Sequence, residues 1–207
     1  MDVLTWDTED SRHRIKGRDD IANLQRMYYH LFKNALKRWS GSNTWILYPD
    51  QNSALDWETV QDYLDVAGMS LSIEPKNVGL FRIRLSREFH IEAIQEVDSR
   101  QVPLCQVADL FAGLSVFSRL KYEIYCHWQI NQQKQMRLFP TEQPMRLSNS
   151  DQERCTILHH LNKRCKVHKL GVSLQTKRGL WTPQPANPIN FWFYKPQHPE
   201  DKAPTRL

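Results

Sequence analysis

Residues 94–120, IQEVDSRQVPLCQVADLFAGLSVFSRL, decide how the fold of this 207-residue chain is interpreted. From Pro103 to about Ile130, apolar residues recur on most sides of one predicted helix, which is typical of a helix buried against a sheet. A strand predicted at 90–97 leads into this helix, and Asp109 lies within it. Because an ionised carboxylate among apolar neighbours is costly, Asp109 is expected to be paired or bound to a metal.

Upstream of that stretch, the pattern alternates between helices and strands. Apolar residues from Ile21 to Trp39 recur every three or four positions, which predicts an amphipathic helix capped by Asp19 or Asp20. Trp45 to Tyr48 form a short apolar run that predicts a buried strand, and Pro49 and Asp50 follow it. Asp56 to Val66 is a second predicted helix. This order predicts an α/β fold with helices packed on a sheet.

The remaining chain divides by composition and pattern. A helix is expected from Ser150 or Asp151 to about His168, a hairpin-like return at 170–182, and an aromatic strand at 190–194. The predicted organisation is an N-terminal lead-in segment without a strand (1–19), a core (20–130), a loop (131–149), a C-terminal helix with short strands (150–195) and a disordered tail (196–207).

Charge and cysteine content indicate which partners and which cellular compartment to expect. The formal net charge is +5 and the sequence pI is about 9.0, which suits a nucleic-acid partner or serves solubility alone. None of the four cysteines forms a CxxC pair. No secretory signal and no run of 18 apolar residues is visible, so we expect a cytoplasmic protein with reduced thiols and no membrane span.

Three aspartates form the main candidate site. Asp50 and Asp98 each follow a predicted strand, and Asp109 lies on the adjacent helix, so the three could converge on a hard cation such as Mg²⁺ or Mn²⁺. Such a site can activate water and stabilise the leaving oxygen of a phosphodiester. The alternatives are plain turn chemistry for Asp50 and Asp98, and pairing of Asp109 with Arg100 or Arg119.

The stretch at 94–120 resembles the late signature of a large prokaryotic family, domain of unknown function 3800, whose pattern is DSxxxxxLQxADLxAG. The earlier WILYPDQN resembles the central strand of that family, which ends in Asp. The helix sequence RMYYHLFKNAL resembles the one before that strand. The likeness covers roughly residues 20–130, and the closing NFWFYKP is similar to the end of some members.

The resemblance implies a ribonuclease H-like mixed sheet flanked by helices, with a metal-dependent acidic site acting on nucleic acid. It carries Asp50 and Asp109 over as ligands of Mg²⁺ or Mn²⁺. Asp98 falls in the DS position and would support catalysis beside Ser99. Gln106 matches the family's Gln and would orient ligands, water or substrate.

The sequence departs from that family at its start, where the usual DES strand and ExK motif are missing. In VLTW, Val3 and Thr5 stand where Glu and Lys are expected. Three explanations remain open: an N-terminally truncated product, a degenerate relative, or a sheet completed by another chain or by self-association. The functional hypotheses are accordingly a metal-dependent nuclease or phosphodiesterase, and a non-catalytic nucleic-acid-binding or assembly module of the same fold.

Two weaker candidates lie in the C-terminal helix. The spacing C-x3-HH-x4-C-x2-H, from Cys155 to His168, fits no standard zinc site. We interpret the stretch HHLNKRCKVHK at 159–169 first as a solvated basic face, and second as a surface that contacts phosphate groups. The seven tryptophans mostly follow apolar stripes, which favours core packing over base stacking.

Overall fold

The computed structural model describes residues 1–8, 18–39, 44–76, 80–135, 147–174 and 178–195. The fold is mixed α/β, which confirms the predicted class. In chain order the elements are β1 (Asp2–Thr5), α1 (Asp20–Arg38), β2 (Thr44–Leu47), α2 (Trp57–Gly68), β3 (Met69–Lys76), β4 (Leu80–Arg87), β5 (His90–Ile94), α3 (Pro103–Leu120), α4 (Tyr122–Gln135), α5 (Asn149–Val167) and β6 (Asn190–Phe193). The predicted disordered tail at 196–207 lies outside the described residues.

The chain forms two compact units. Unit 1 comprises Met1–Thr5 and Ala108–Phe193, and unit 2 comprises Trp6–Val107 and Tyr194–Leu207. One boundary between the units therefore falls inside α3. Across the described ranges, no helix combines the length and the apolar character needed to cross a membrane.

Unit 2 begins with two helices whose N-termini are capped by aspartates. The carboxylate of Asp19 accepts a hydrogen bond from the amide of Ala22 at 2.8 Å, as the sequence predicted for α1. Asp56 accepts from the amides of Glu58 and Thr59, so this residue caps α2 and precedes its first turn.

The core of unit 2 lies between these helices and β5. It is built from five buried apolar side chains, Leu36, Val60, Leu64, Phe89 and Ile91. β2 pairs in parallel with β5, and β3 forms an antiparallel hairpin with β4. Both strands of this hairpin were left unassigned in the sequence.

The β2–β5 ladder continues past the ends of both strands. The amide of Val97 donates to the carbonyl oxygen of Pro49 at 2.9 Å, and the amide of Gln51 donates to Val97 at 3.0 Å. These bonds make an isolated parallel bridge between Asp50 and Val97. Asp50 is therefore held in register at the carboxyl end of the pair.

Unit 1 contains a strand that the sequence did not predict. β1 pairs in parallel with β6, and Val3 lies opposite Phe191. Val3 is buried in the core of unit 1. The prediction that the lead-in segment lacks a strand is wrong. The partner of β1 lies almost at the other end of the described chain, and the local sequence pattern does not indicate such distant pairing.

The long helix predicted from Pro103 to Ile130 is two helices, α3 and α4, separated at Lys121. The interruption follows Ser118, whose hydroxyl donates to the carbonyl oxygen of Ser115 at 2.8 Å, a contact of the kind that bends helices. α4 runs on to Gln135 and takes the first residues of the predicted loop. The cap of α5 is Ser148, whereas the sequence predicted a start at Ser150 or Asp151.

Candidate functional site

Asp50 is oriented by backbone amides from two segments. Its Oδ1 accepts hydrogen bonds from the amide of Gln51 at 3.0 Å and from the amide of Ser99 at 3.1 Å. Its Oδ2 accepts no hydrogen bond from the described residues, and the side chain is exposed. The structure therefore places one fixed carboxylate, with one uncommitted oxygen, at the end of the parallel strand pair.

Asp98 lies in the same region of unit 2, where its carboxylate forms an ion pair with Arg100. The guanidinium of Arg100 donates to both carboxylate oxygens of Asp98, at 3.0 and 2.9 Å. These bonds, together with the backbone amide of Arg100, hold the pKa of Asp98 below its ordinary value. The pKa of Arg100 is raised, mainly by Asp98 and to a smaller extent by the charge of Asp50.

Gln106 and Ser99 join this region through the backbone. The side-chain amide of Gln106 donates to the carbonyl oxygen of Ser99 at 3.1 Å and to that of Arg100 at 3.3 Å. Ser99 in turn binds Asp50 through its amide. The predicted group of Asp50, Asp98, Ser99 and Gln106 is therefore one connected network in unit 2.

Asp109 is the remaining residue of the predicted site, and it lies on α3. It belongs to unit 1, its side chain is exposed, and it makes no hydrogen bond or ion pair with a described residue. The prediction that Asp109 is buried is wrong, because the apolar character of α3 does not coincide with burial at this end. Neither of the predicted pairings occurs in the described structure, since Arg100 binds Asp98 and Arg119 lies 4.1 Å from the ring of Phe193.

A third carboxylate near the strand ends, that of Glu96, was not predicted from the sequence. Oε1 of Glu96 accepts from the amide of Asn52 at 2.9 Å and from the indole of Trp57 at 2.8 Å. The amide first, and then the indole, lower the pKa of Glu96. No motif marks Glu96 in the sequence. Its contacts with Asn52 and Trp57, which lie 44 and 39 residues earlier, bring it beside the segment that follows Asp50.

The described part of the chain contains no group of three His, Cys, Asp or Glu side chains placed to hold a metal ion. Asp50 has one carboxylate oxygen that accepts no hydrogen bond from the described residues, whereas both oxygens of Asp98 accept hydrogen bonds from Arg100. In α5, Cys155 and Cys165 are buried in the core of unit 1. Burial raises the pKa of the Cys155 thiol to about 11, which disfavours the thiolate that zinc requires.

Two curated proteins of Methanothermobacter thermautotrophicus are similar to this chain over its whole length. The uncharacterized protein ORF2′ is 50% identical over 207 residues, which are 68% of its own length. The uncharacterized protein ORF2 is 47% identical over 207 residues, again 68% of its length. This chain belongs to their family. About a third of each ORF2-family relative therefore lies outside the match.

No protein-family model and no solved structure gives a significant match to this ORF2-family chain. Both matches cover the full 207 residues and therefore span the segments that contain Asp50, the Asp98 loop and α3.

Proposed function

We propose that this chain is the core of a metal-dependent phosphodiesterase acting on nucleic acid, with Asp50 as its first metal ligand. The observation that carries the proposal is the geometry of Asp50, at the carboxyl end of a parallel strand pair with Oδ2 uncommitted. The resemblance to the ribonuclease H-like family supports the same assignment. Bound there, Mg²⁺ or Mn²⁺ would supply a Lewis acid and an activated water.

A single oriented carboxylate suits a metal site that keeps water and substrate ligands better than a site made of protein ligands alone. Mg²⁺ keeps several waters and is commonly held by one or two carboxylates together with substrate phosphates. The amides of Gln51 and Ser99 reduce the freedom of Asp50 without neutralising it, so little ordering remains when a cation arrives. In this proposal Gln106 is a positioning residue, because it holds the loop that supplies the Ser99 amide.

Asp109 remains the second ligand that the resemblance assigns, and Asp98 the supporting residue. Exposure makes an ionised Asp109 inexpensive, so its charge requires no compensating cation. Its role in the proposal therefore rests on the ADLFAG motif alone, and a variant of its own tests it.

The experiment measures cleavage of labelled RNA, DNA and hybrid duplexes by the purified 207-residue chain, with Mn²⁺ or with EDTA. We expect cleavage only with metal. Asp50→Asn keeps an acceptor for both backbone amides but removes the charge, and should abolish cleavage. Asp62→Asn, a change at an exposed aspartate of α2 without a described partner, is the matched control.

The outcomes separate the assignments. Wild-type protein that cleaves none of the substrates would overturn the enzymatic proposal. Cleavage that is equal in Asp50→Asn and Asp62→Asn would remove Asp50 from the site. Loss of cleavage in Asp109→Asn supports the second ligand, whereas full activity in that variant leaves Asp50 to act without it.

A non-catalytic assembly module is a second candidate, favoured by apolar surface in unit 2. Ile46 and Tyr48 at the end of β2 are 38% and 52% exposed, and Leu104 and Val107 at the start of α3 are 79% and 45% exposed. The thiol of Cys105 lies 3.7 Å from the carbonyl oxygen of Tyr48, so the two groups adjoin. Parallel strands are normally covered on both faces, and adjoining exposed apolar side chains mark an interface.

The occupant proposed for this surface is a polypeptide segment equivalent to the third of ORF2′ that lies outside the match. The test mixes this chain with that part of ORF2′, expressed separately, and measures complex formation by sedimentation. Leu104→Ser with Val107→Ser should weaken the complex, and Val66→Ser, at an exposed apolar residue of α2, should not. Absence of a complex at micromolar concentrations would contradict this assembly role.

A further inference from the structure

The positive charge of the chain is concentrated in unit 1. Its residues include twelve Lys or Arg against six Asp or Glu, a net of +6, whereas unit 2 has sixteen against seventeen, a net of −1. The 46 residues from Arg154 to Pro199 contain eight Lys or Arg and no Asp or Glu. The charge asymmetry therefore points to unit 1 as the part that meets a polyanion.

α5 presents this charge to solvent on one face. Its buried face carries Cys155, Leu158, Asn162 and Cys165, spaced three, four and three residues apart. The opposite stripe consists of exposed residues at similar helical spacing, His160, Lys163, Arg164 and Val167. Exposed Lys166 flanks this stripe, and exposed Lys169 follows just past the end of the helix. We call these six residues the α5 basic face.

The cations of the α5 basic face are not engaged by the part of the protein that the structure describes. The side chains of Lys163, Arg164, Lys166 and Lys169 make no ion pair or hydrogen bond with any residue in the described ranges. Unengaged cations on one face keep their full charge for an external anion.

α1, which is equally basic in sequence, differs in this respect. Arg26 donates to the hydroxyl of Tyr194 at 3.3 Å, Lys33 donates to the hydroxyl of Tyr29 at 3.2 Å, and Lys37 pairs with Glu88 at 3.1 Å. The structure thus distinguishes two basic helices that the sequence alone makes equivalent.

The helix dipole explains only part of this pattern. Cations in the last turn stabilise a helix by about 0.3–1 kcal/mol each, which accounts for Arg164 and Lys166. It does not account for Lys163, nor for the absence of acidic residues over the stretch that follows α5. A membrane surface is disfavoured as the partner, because Val167 is the lone apolar member of the α5 basic face and interfacial helices need a broad apolar face.

We infer that the α5 basic face binds the phosphate backbone of nucleic acid, the substrate class of the proposed function, on which this inference rests. Four unengaged cations predict an affinity that falls with salt, with a logarithmic slope of about −3. Lys and Arg at such positions hold the backbone without reading sequence, so binding should be nearly independent of base composition.

The test measures binding of labelled 20-nucleotide RNA and DNA by fluorescence anisotropy in EDTA, across about 50–200 mM salt. Lys163→Gln with Arg164→Gln should weaken binding about tenfold or more at low salt and reduce the slope by about 2. Lys33→Gln with Lys37→Gln removes the same charge from α1 and should leave the slope nearly unchanged. Circular dichroism checks that both double variants are folded.

The two proposals fail differently in this design. Binding that is lost in the α5 variant while no metal-dependent cleavage is found would retain the α5 basic face and overturn the nuclease. Equal loss in the α1 and α5 variants would reduce the effect to net charge and overturn the assignment to α5. Undetectable wild-type binding at low salt, or tighter binding to anionic vesicles than to nucleic acid, would also overturn it.

Discussion

The buried hydroxyl of Ser118 joins helix α3 to the segment before β6 through the backbone of Leu180. Its oxygen accepts a hydrogen bond from the Leu180 amide at 2.8 Å, while the hydroxyl donates to the carbonyl oxygen of Ser115. Ser118 is fully buried, and Leu180 belongs to the core of unit 1. One side chain therefore satisfies a buried amide that no secondary structure pairs.

Replacing Ser118 with Ala should destabilise the protein. The substitution leaves the Leu180 amide buried without an acceptor, which costs about 1–3 kcal/mol. Urea unfolding followed by circular dichroism measures the difference, and Ser150→Ala, at an exposed residue in the first turn of α5, is the control. Equal midpoints for both variants would show that water reaches the amide.

Two glycines should respond to alanine with opposite signs. Gly179 has a φ of +74°, and a Cβ there would lie 2.6 Å from Oγ of Ser118 and 2.7 Å from the amide nitrogen of Arg119, so Gly179→Ala should destabilise by more than about 1 kcal/mol. Gly113 lies inside α3 with open space around its Cβ position, and Gly113→Ala should stabilise by about 0.5–1 kcal/mol. Thermal unfolding of both variants tests the pair, and a stabilising Gly179→Ala would contradict the described turn.

Thiol reactivity should divide the cysteines into two classes. Burial raises the pKa of Cys155 to about 11 and also raises that of Cys165, so at pH 8 only about one Cys155 in a thousand is a thiolate. Cys105 and Cys126 are half-buried and should react first with a disulfide reagent. Mass spectrometry of the labelled peptides gives the order, and the slow class should react once the protein is unfolded.

The same pKa shift predicts a loss of stability at high pH. The unfolded thiol of Cys155 ionises near its ordinary pKa of 9, whereas the folded thiol holds its proton until about 11. Stability from the protonated thiol is therefore complete below pH 9 and is lost as the pH rises toward 11. Cys155→Ala should lack this part of the pH dependence between 9 and 11.

The Asp98–Arg100 pair should contribute to stability at neutral pH and lose that contribution in acid. Because the folded pKa of Asp98 lies below its ordinary value of 3.8, the contribution is present above that pH and disappears as the pH falls through the folded pKa. The effect is expected to be small, since the side chain of Arg100 is 87% exposed to solvent. Nuclear magnetic resonance titration of the Asp98 carboxyl should show its pKa rising toward 3.8 in Arg100→Gln, and an unchanged pKa would contradict the pairing.

Local pattern was sufficient wherever a segment carries its own signal. The amphipathic spacing of α1 and the capping side chain of Asp19 are properties of neighbouring residues, and the structure confirms both. The short apolar run of β2, which ends before Pro49, likewise predicted where Asp50 lies relative to a strand. The prediction that this strand is buried is wrong, because its residues alternate between exposed and half-buried. These features depend on periodicity and turn chemistry, which act within a few residues.

The candidate site was predicted in outline and corrected in its contacts. The position of Asp50 after a strand came from the sequence, but the amide of Ser99 that holds it comes from 49 residues away. Asp98 and Arg100 are only two residues apart, but turn propensity alone does not predict whether Asp98 forms this ion pair or binds a metal. The exposure of Asp109 depends on what packs against α3, which the apolar content of the helix cannot reveal.

By itself, the sequence determined the α/β class, the main helices with their capping residues, and the placement of Asp50 at a strand end, because hydrophobic period and capping chemistry act over short distances. The tertiary structure alone decided that Val3 lies in a strand beside Phe191 and that Asp109 is exposed. It also decided that the cations of the α5 basic face make no ion pair or hydrogen bond with described residues, whereas Lys33 and Lys37 of α1 do. Each of these depends on which distant segments pack together. Such long-range contacts form only in the folded chain, so short-range sequence patterns do not reveal them.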